Sequence, residues 1–162
     1  MTEIVDLWPD KIKVEKLITP VTILRQQASL LGKKTKGIVQ GEIEDGKGGF
    51  SLNLFNYTFY IVAPALNNYR YRLFNISYEV SLYPLEIDVE SEIREEIPSN
   101  FIKKRSGAII ALEFVYANSE KDFLEILKAI FNSAKVLRVI SVFLSQSDPS
   151  YDPSLKEEEI QQ

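Results

Sequence analysis

Apolar positions along the chain follow two periods. After Thr19-Pro20, Val21, Leu24, Ala28 and Leu31 recur at three- and four-residue steps, with Ile23, Gln27 and Leu30 beside them. That spacing predicts an amphipathic helix. Thr19 suits its N-cap and Pro20 its first turn. Gly32 suits its end, where Lys33 and Lys34 meet the negative pole of the helix. A second helix is the clearest of all: Phe123, Ile126, Leu127, Ile130 and Phe131 form one face, behind Ser119 and Asp122 as a capping-box-like start. A third is predicted over Ala134–Gln146. Its polar positions (Lys135, Arg138, Ser141, Ser145) make only a narrow stripe, and its β-branched Val136, Val139, Ile140 and Val142 also admit a strand.

Between the first and second helices the period shortens. Ile38–Glu44, Phe50–Ala63, Tyr69–Glu79 and Leu85–Val89 read as strands, with turns at Asp45–Gly49 and Pro64–Asn68. Phe50, Leu52 and Leu54 share one phase, and Phe55, Tyr57, Phe59 and Ile61 the other, so a bulge near Leu54-Phe55, or a strand buried on both faces, is expected. In the next strand Tyr69, Tyr71 and Leu73 are expected on one face, and Arg70, Arg72, Phe74 and Ile76 on the other. Residues 90–107 read as a helical turn plus a loop, and Ala108–Tyr116 as a fifth strand. Lys11–Leu17 alternates behind Trp8-Pro9, which suggests an extended arm or edge strand. The order implies an α+β domain over residues 1–147: an N-terminal helix, an antiparallel meander of about five strands, and two C-terminal helices packed on one face. Residues 148–162 form an acidic tail whose composition predicts disorder.

Charge is sorted along the chain. The net charge of −4 belongs to the tail, since the first 147 residues hold 18 acids and 18 bases. Lys16–Gly41 carries five bases (Lys16, Arg25, Lys33, Lys34, Lys36) and no acid, whereas Glu86–Glu96 carries six acids and one base. The first stretch is a candidate patch for an acidic partner or a phosphate backbone.

The chain has no Cys and no His. This removes disulfides, thiolate nucleophiles, Cys or His metal sites and every Ser-His or Cys-His arrangement. Gly32-Lys33-Lys34-Thr35 is not a phosphate loop, because it follows a helix and lacks the upstream Gly. Asp45-Gly46-Lys47-Gly48-Gly49 fits a hairpin better than a nucleotide cradle. Tyr69-Arg70-Tyr71-Arg72 could stack on bases and touch phosphate, but alternation puts its tyrosines and arginines on opposite faces. Glu86, Asp88, Glu90 and Glu92 share a strand face without the spacing of a calcium loop. No catalytic residue, cofactor or metal is therefore expected. No run of 18 apolar residues and no secretory pattern at the N-terminus occur, so a cytoplasmic protein is expected. The two Asn-x-Ser/Thr sites at Asn56 and Asn75 read as chance matches.

Thr19-Pro20-Val21-Thr22-Ile23-Leu24, Leu30-Leu31-Gly32, Val62-Ala63-Pro64-Ala65-Leu66, Asn68-Tyr69-Arg70-Tyr71-Arg72-Leu73-Phe74 and Tyr83-Pro84 together resemble a group of small uncharacterised bacterial proteins. The match covers residues 19–89 and, more weakly, the helical C-terminus. The resemblance implies a bacterial origin and no chemistry.

The expected function is a non-enzymatic protein-interaction module, through an unknown protein partner or self-association. Candidate contact residues are Arg25, Lys33, Lys34 and Lys36, the Tyr69-Arg70-Tyr71-Arg72 cluster, and Val139, Val142 and Phe143 on the last helix. The alternatives are a secretion-chaperone-like binder of extended polypeptide, by analogy of size and fold class only, and a weak nucleic-acid binder through the basic first helix. Nucleic acid is disfavoured as a partner and a membrane is not expected.

Overall fold

A computed structural model describes residues 2–46, 53–106, 111–148 and 150. Most of the acidic tail, the centre of the first hairpin turn (47–49), the expected strand start at 50–52 and the start of the expected fifth strand (108–110) lie outside the described residues.

Helix α1 spans Pro20–Lys34. Thr19 caps it by accepting the Thr22 N–H, and Pro20 opens its first turn. The helix runs past Gly32 and stops at Thr35. The buried Thr35 hydroxyl accepts the Val39 N–H at 3.1 Å and lies 2.7 Å from the Val39 carbonyl, tying the end of α1 to the following strand. Gly37, at φ 79°, then makes the left-handed turn that a side chain would resist. The stop signal is therefore Thr35 and Gly37 rather than Gly32.

The strands are β1 Gln40–Asp45, β2 Phe55–Ala63, β3 Tyr69–Tyr78, β4 Leu85–Val89, β5 Ile102–Ser106 and β6 Ala111–Ala117. They form one antiparallel sheet in the order β1-β2-β3-β4-β6-β5. The expected meander holds through β4. A closing hairpin then pairs through its second strand, which puts β5 at the edge. β5 is the strand missing from the sequence reading, because Lys103-Lys104-Arg105 looks like a solvated loop. Charged side chains on an edge strand blunt edge-to-edge pairing, and here Arg105 also lies over the Phe114 ring, 4.5 Å from its centre.

The expected bulge is displaced. Phe59 faces Phe74 and Tyr60 faces Arg72, which leaves Leu73 as the extra residue in β3. That extra residue lets Leu73 and Phe74, neighbours in sequence, both join the core while Arg70 and Arg72 stay exposed. Phe74 and Ile76 therefore lie with the core residues and not with the arginines.

α2 is one turn, Ser91–Arg94; α3 spans Glu120–Phe131 and α4 Ala134–Ser147. Ala134–Ser147 is thus a helix and not a strand. Ser119 caps α3 by accepting the Asp122 N–H, and the Asp122 carboxylate reaches back to the Asn118 N–H. Ser133 caps α4, and the Glu96 carboxylate accepts the Ala134 N–H at 3.0 Å, placing negative charge at the positive pole of the helix. The sheet's inner face (Phe59, Ile61, Phe74, Ile76, Ile87, Val115) and the apolar sides of α1, α3 and α4 make one buried cluster. α1 lies close on β1 because Gly41 has no side chain: a Cβ there would sit 2.7 Å from Ala28 Cα and Cβ.

Candidate docking groove

Five of the six acids of the acidic stretch find partners within the fold. Glu86 pairs with Arg105, Asp88 with Arg72 and Glu92 with Lys135. Glu90 accepts the Tyr71 hydroxyl at 2.6 Å, and Glu96 caps α4. The outer sheet face is balanced in the same way. Arg70 bridges Glu42 and Glu44 while lying 4.0 Å from the centre of the Tyr60 ring. Lys103 and Arg105 cover Tyr116. Each such exposed pair contributes at most about 1 kcal/mol. Their consequence for function is that the cations of this face already have partners.

The basic stretch is different. Arg25, Lys33, Lys34 and Lys36 make no ion pair among the described residues. Arg25, Lys33 and Lys36 line an open depression of about 650 Å³ between α1 and β1, with Gly32, Gly37 and Gly41. Lys34 lies at a second cavity, of about 260 Å³, between α1 and α4. Phe59, Ile61 and Leu73 of the sheet line this one, with Leu30 and Leu31 of α1, Phe131 of α3, and Val136, Leu137 and Ile140 of α4. Gln27 and Asn132 are its uncharged polar side chains, and no carboxylate among the described residues lines it. Leu30 and Leu137 remain exposed. An apolar groove with a few polar groups at its edge is the usual form of a binding site.

Four tyrosine hydroxyls are held protonated beyond the ordinary range. Burial, reinforced by the hydrogen bond and charge of Glu90, raises Tyr71 above the ordinary tyrosine range. Burial pushes Tyr78 up to about 12, with Tyr57 adding to it, and pushes Tyr83 up to about 12, with Glu120 adding to it. Burial and Glu86 raise Tyr116 against the opposing charge of Arg105. A phenol held in its neutral form at neutral pH is a poor base. No cluster of acids among the described residues is arranged to hold a metal ion, and no helix among them is long and apolar enough to cross a membrane.

The structure separates the residues that the sequence grouped. Tyr69 packs edge-on against Phe143 at 5.5 Å and Tyr71 lies against the core, while Arg70 and Arg72 are neutralised on the outer face. Phe143 is buried in the core and Val139 is packed against it, so of the three candidate contacts on α4 only Val142 stays exposed. Arg25, Lys33 and Lys36 are brought together at the α1–β1 depression, and Lys34 is set apart at the α1–α4 cavity. Sequence reasoning missed Leu30, Leu137 and Ile140 as groove residues; the available signal was the apolar surplus of α4, which put Leu137 outside any single buried face. The chain matches no family model, no curated protein and no solved structure.

Proposed function

We propose that this protein is a non-enzymatic interaction module that holds an acidic, apolar polypeptide segment in the groove between α1 and α4. The observation that carries this reading is the asymmetry of charge: Glu42, Glu44, Glu86 and Asp88 of the sheet are paired from within, while Lys34 of α1, without an ion pair among the described residues, borders the apolar groove. Leu30 and Leu137, exposed at the groove's edge, with the half-buried Leu31 and Ile140, supply surface for large apolar side chains, and Lys34 supplies the charge that favours acids between them. The absence of His and Cys is consistent with a protein that binds rather than catalyses.

The test is fluorescence anisotropy of a labelled peptide in which Asp or Glu alternates with Leu or Phe. Leu137→Asp should weaken binding at least about tenfold, because it places an unpaired carboxylate against the apolar segment. Lys34→Glu should weaken it at low salt and less at high salt. Equal affinity for wild type and Leu137→Asp would remove the groove from the account.

A second reading is supported by the open depression holding Arg25, Lys33 and Lys36, with no carboxylate among the described residues that line it. In that reading it takes a phosphate backbone as a weak nucleic-acid binder. Three phosphate contacts predict a slope of log K against log salt of about −2 to −3 for single or double strands. A flat salt dependence would eliminate it.

A further inference from the structure

Residues 2–18 form an arm in which no helix or strand is present. Eight large apolar side chains between Ile4 and Ile18 are exposed on it; Ile4 is 97% and Trp8 76% accessible. A soluble surface rarely leaves so many large apolar groups together without a use for them. The first half, Glu3–Asp10, combines Ile4, Val5, Leu7 and Trp8 with three acids and no base. Its chemistry is the complement of the α1–α4 groove, which is apolar, carries Lys34 and has no carboxylate among the described residues that line it.

Resting on the reading of that groove as a docking site, we infer that its resident occupant is the arm of a second copy of this chain. Two chains exchange residues 3–10, each arm lying in the partner's groove, so that one two-fold axis closes the assembly. Reach alone permits docking within one chain as well. The groove begins at Gln27, eight residues beyond Thr19, or about 12 Å along the helix. Residues 10–18 extend to roughly 30 Å. Exposure decides between the two: within a single chain the arm covers none of the groove and stays bare along its length. Exchange also sets a threshold for the partner segment, which must displace the arm before it binds.

Trp8 is the only tryptophan, so its emission reports the arm directly in the unmodified protein. Raising the concentration of full-length chain should shift Trp8 emission to the blue as sedimentation shows dimer forming. Leu137→Asp should abolish both changes. Trp8→Asp should raise the dimer dissociation constant at least tenfold and strengthen binding of the unrelated acidic–apolar peptide. The chain lacks cysteine, so a mixture of full-length W8C and full-length L137C tests contact in trans. A disulfide-linked pair should form at least tenfold faster than between W8C and K104C, which lies on β5 at the far sheet edge. Rates equal to that control, or a W8C/L137C double variant that closes within one monomer, would overturn the exchange. If exchange fails while the unrelated peptide still binds and Leu137→Asp removes that binding, only the arm is wrong. If the peptide fails on the Trp8→Asp chain too, the groove reading falls with it.

Discussion

The seat of α1 on the sheet can be broken by a single methyl group. A Cβ at Gly41 would lie 2.7 Å from both Ala28 Cα and Ala28 Cβ, and 3.0 Å from Phe59 Cζ. Two of these contacts are with a helix backbone atom and its first side-chain carbon, neither of which can rotate away. Gly41→Ala must therefore push α1 off β1 or twist the strand. Overpacking of this kind costs about 1–3 kcal/mol. For a chain of this size 1 kcal/mol moves Tm by roughly 2–4 °C, so the melting point should fall by about 2–12 °C. Gly32→Ala is the matched control. Gly32 lies inside α1, and its added Cβ meets nothing within 4 Å. The helix should gain roughly 0.5–1 kcal/mol from the lost backbone freedom of glycine. Urea unfolding followed by circular dichroism at a fixed pH gives both values from the midpoint, provided the slope is unchanged. Ala28→Gly combined with Gly41→Ala should cost less than the sum of the two, since one of the opposing carbons is gone. If Gly41→Ala is as stable as wild type, or if both Gly→Ala changes shift stability in the same direction, the close seating of α1 described above is wrong.

Alkaline pH should unfold the protein through its buried tyrosines. Tyr78 and Tyr83 titrate near 12 when folded and near 10 when unfolded. The unfolded chain thus loses these protons first, and stability falls as pH rises from about 10 towards 12. A urea midpoint that stays constant across that window would contradict this, and Tyr78→Phe should flatten the dependence. The Tyr83 hydroxyl is buried without a hydrogen-bond partner, so Tyr83→Phe should leave thermal stability equal or raise it by about 1 kcal/mol, whereas a loss beyond about 1 kcal/mol would mean the hydroxyl is satisfied. Thr35→Val keeps the shape but deprives Val39 of its buried hydroxyl partner; unfolding measurements should show a loss of about 1–3 kcal/mol. Arg72→Met removes an exposed ion pair with Asp88 and should change stability by less than about 1 kcal/mol at moderate salt.

The elements that bury one face were legible in the sequence. α3 repeats its apolar positions at helical spacing with Ser119 before it, and the structure bears this out in class and in start. The strands from β1 to β4 follow from Gly, Pro and Asn punctuation, down to the left-handed Asn67 and Asn68 between β2 and β3. Failures arose where tertiary contact outweighs local pattern. β5 reads as a loop because its Lys and Arg side chains find aromatic partners, Phe114 and Tyr116, on the next strand, β6. The extra residue at Leu73 cannot be read from β3 alone, since it is defined against Phe59 and Tyr60 of β2. The basic character of α1 was legible as composition. Its importance was not, because only the folded chain shows that Glu86, Asp88, Glu90 and Glu92 are spent on Arg105, Arg72, Tyr71 and Lys135 and not on α1. The groove itself is a gap between helices more than a hundred residues apart in sequence, and no local pattern encodes it.

Methyl-resolved NMR of the full chain, titrated with the acidic–apolar peptide, tests the docking groove most directly. The account predicts shifts of the Leu31, Ile61, Leu73, Val136 and Ile140 methyl signals, which line the groove, and little movement of Ile87, Val89 and Val115, which lie elsewhere in the core. Shifts concentrated on Ile87 and Val115, or none at saturating peptide, would contradict it.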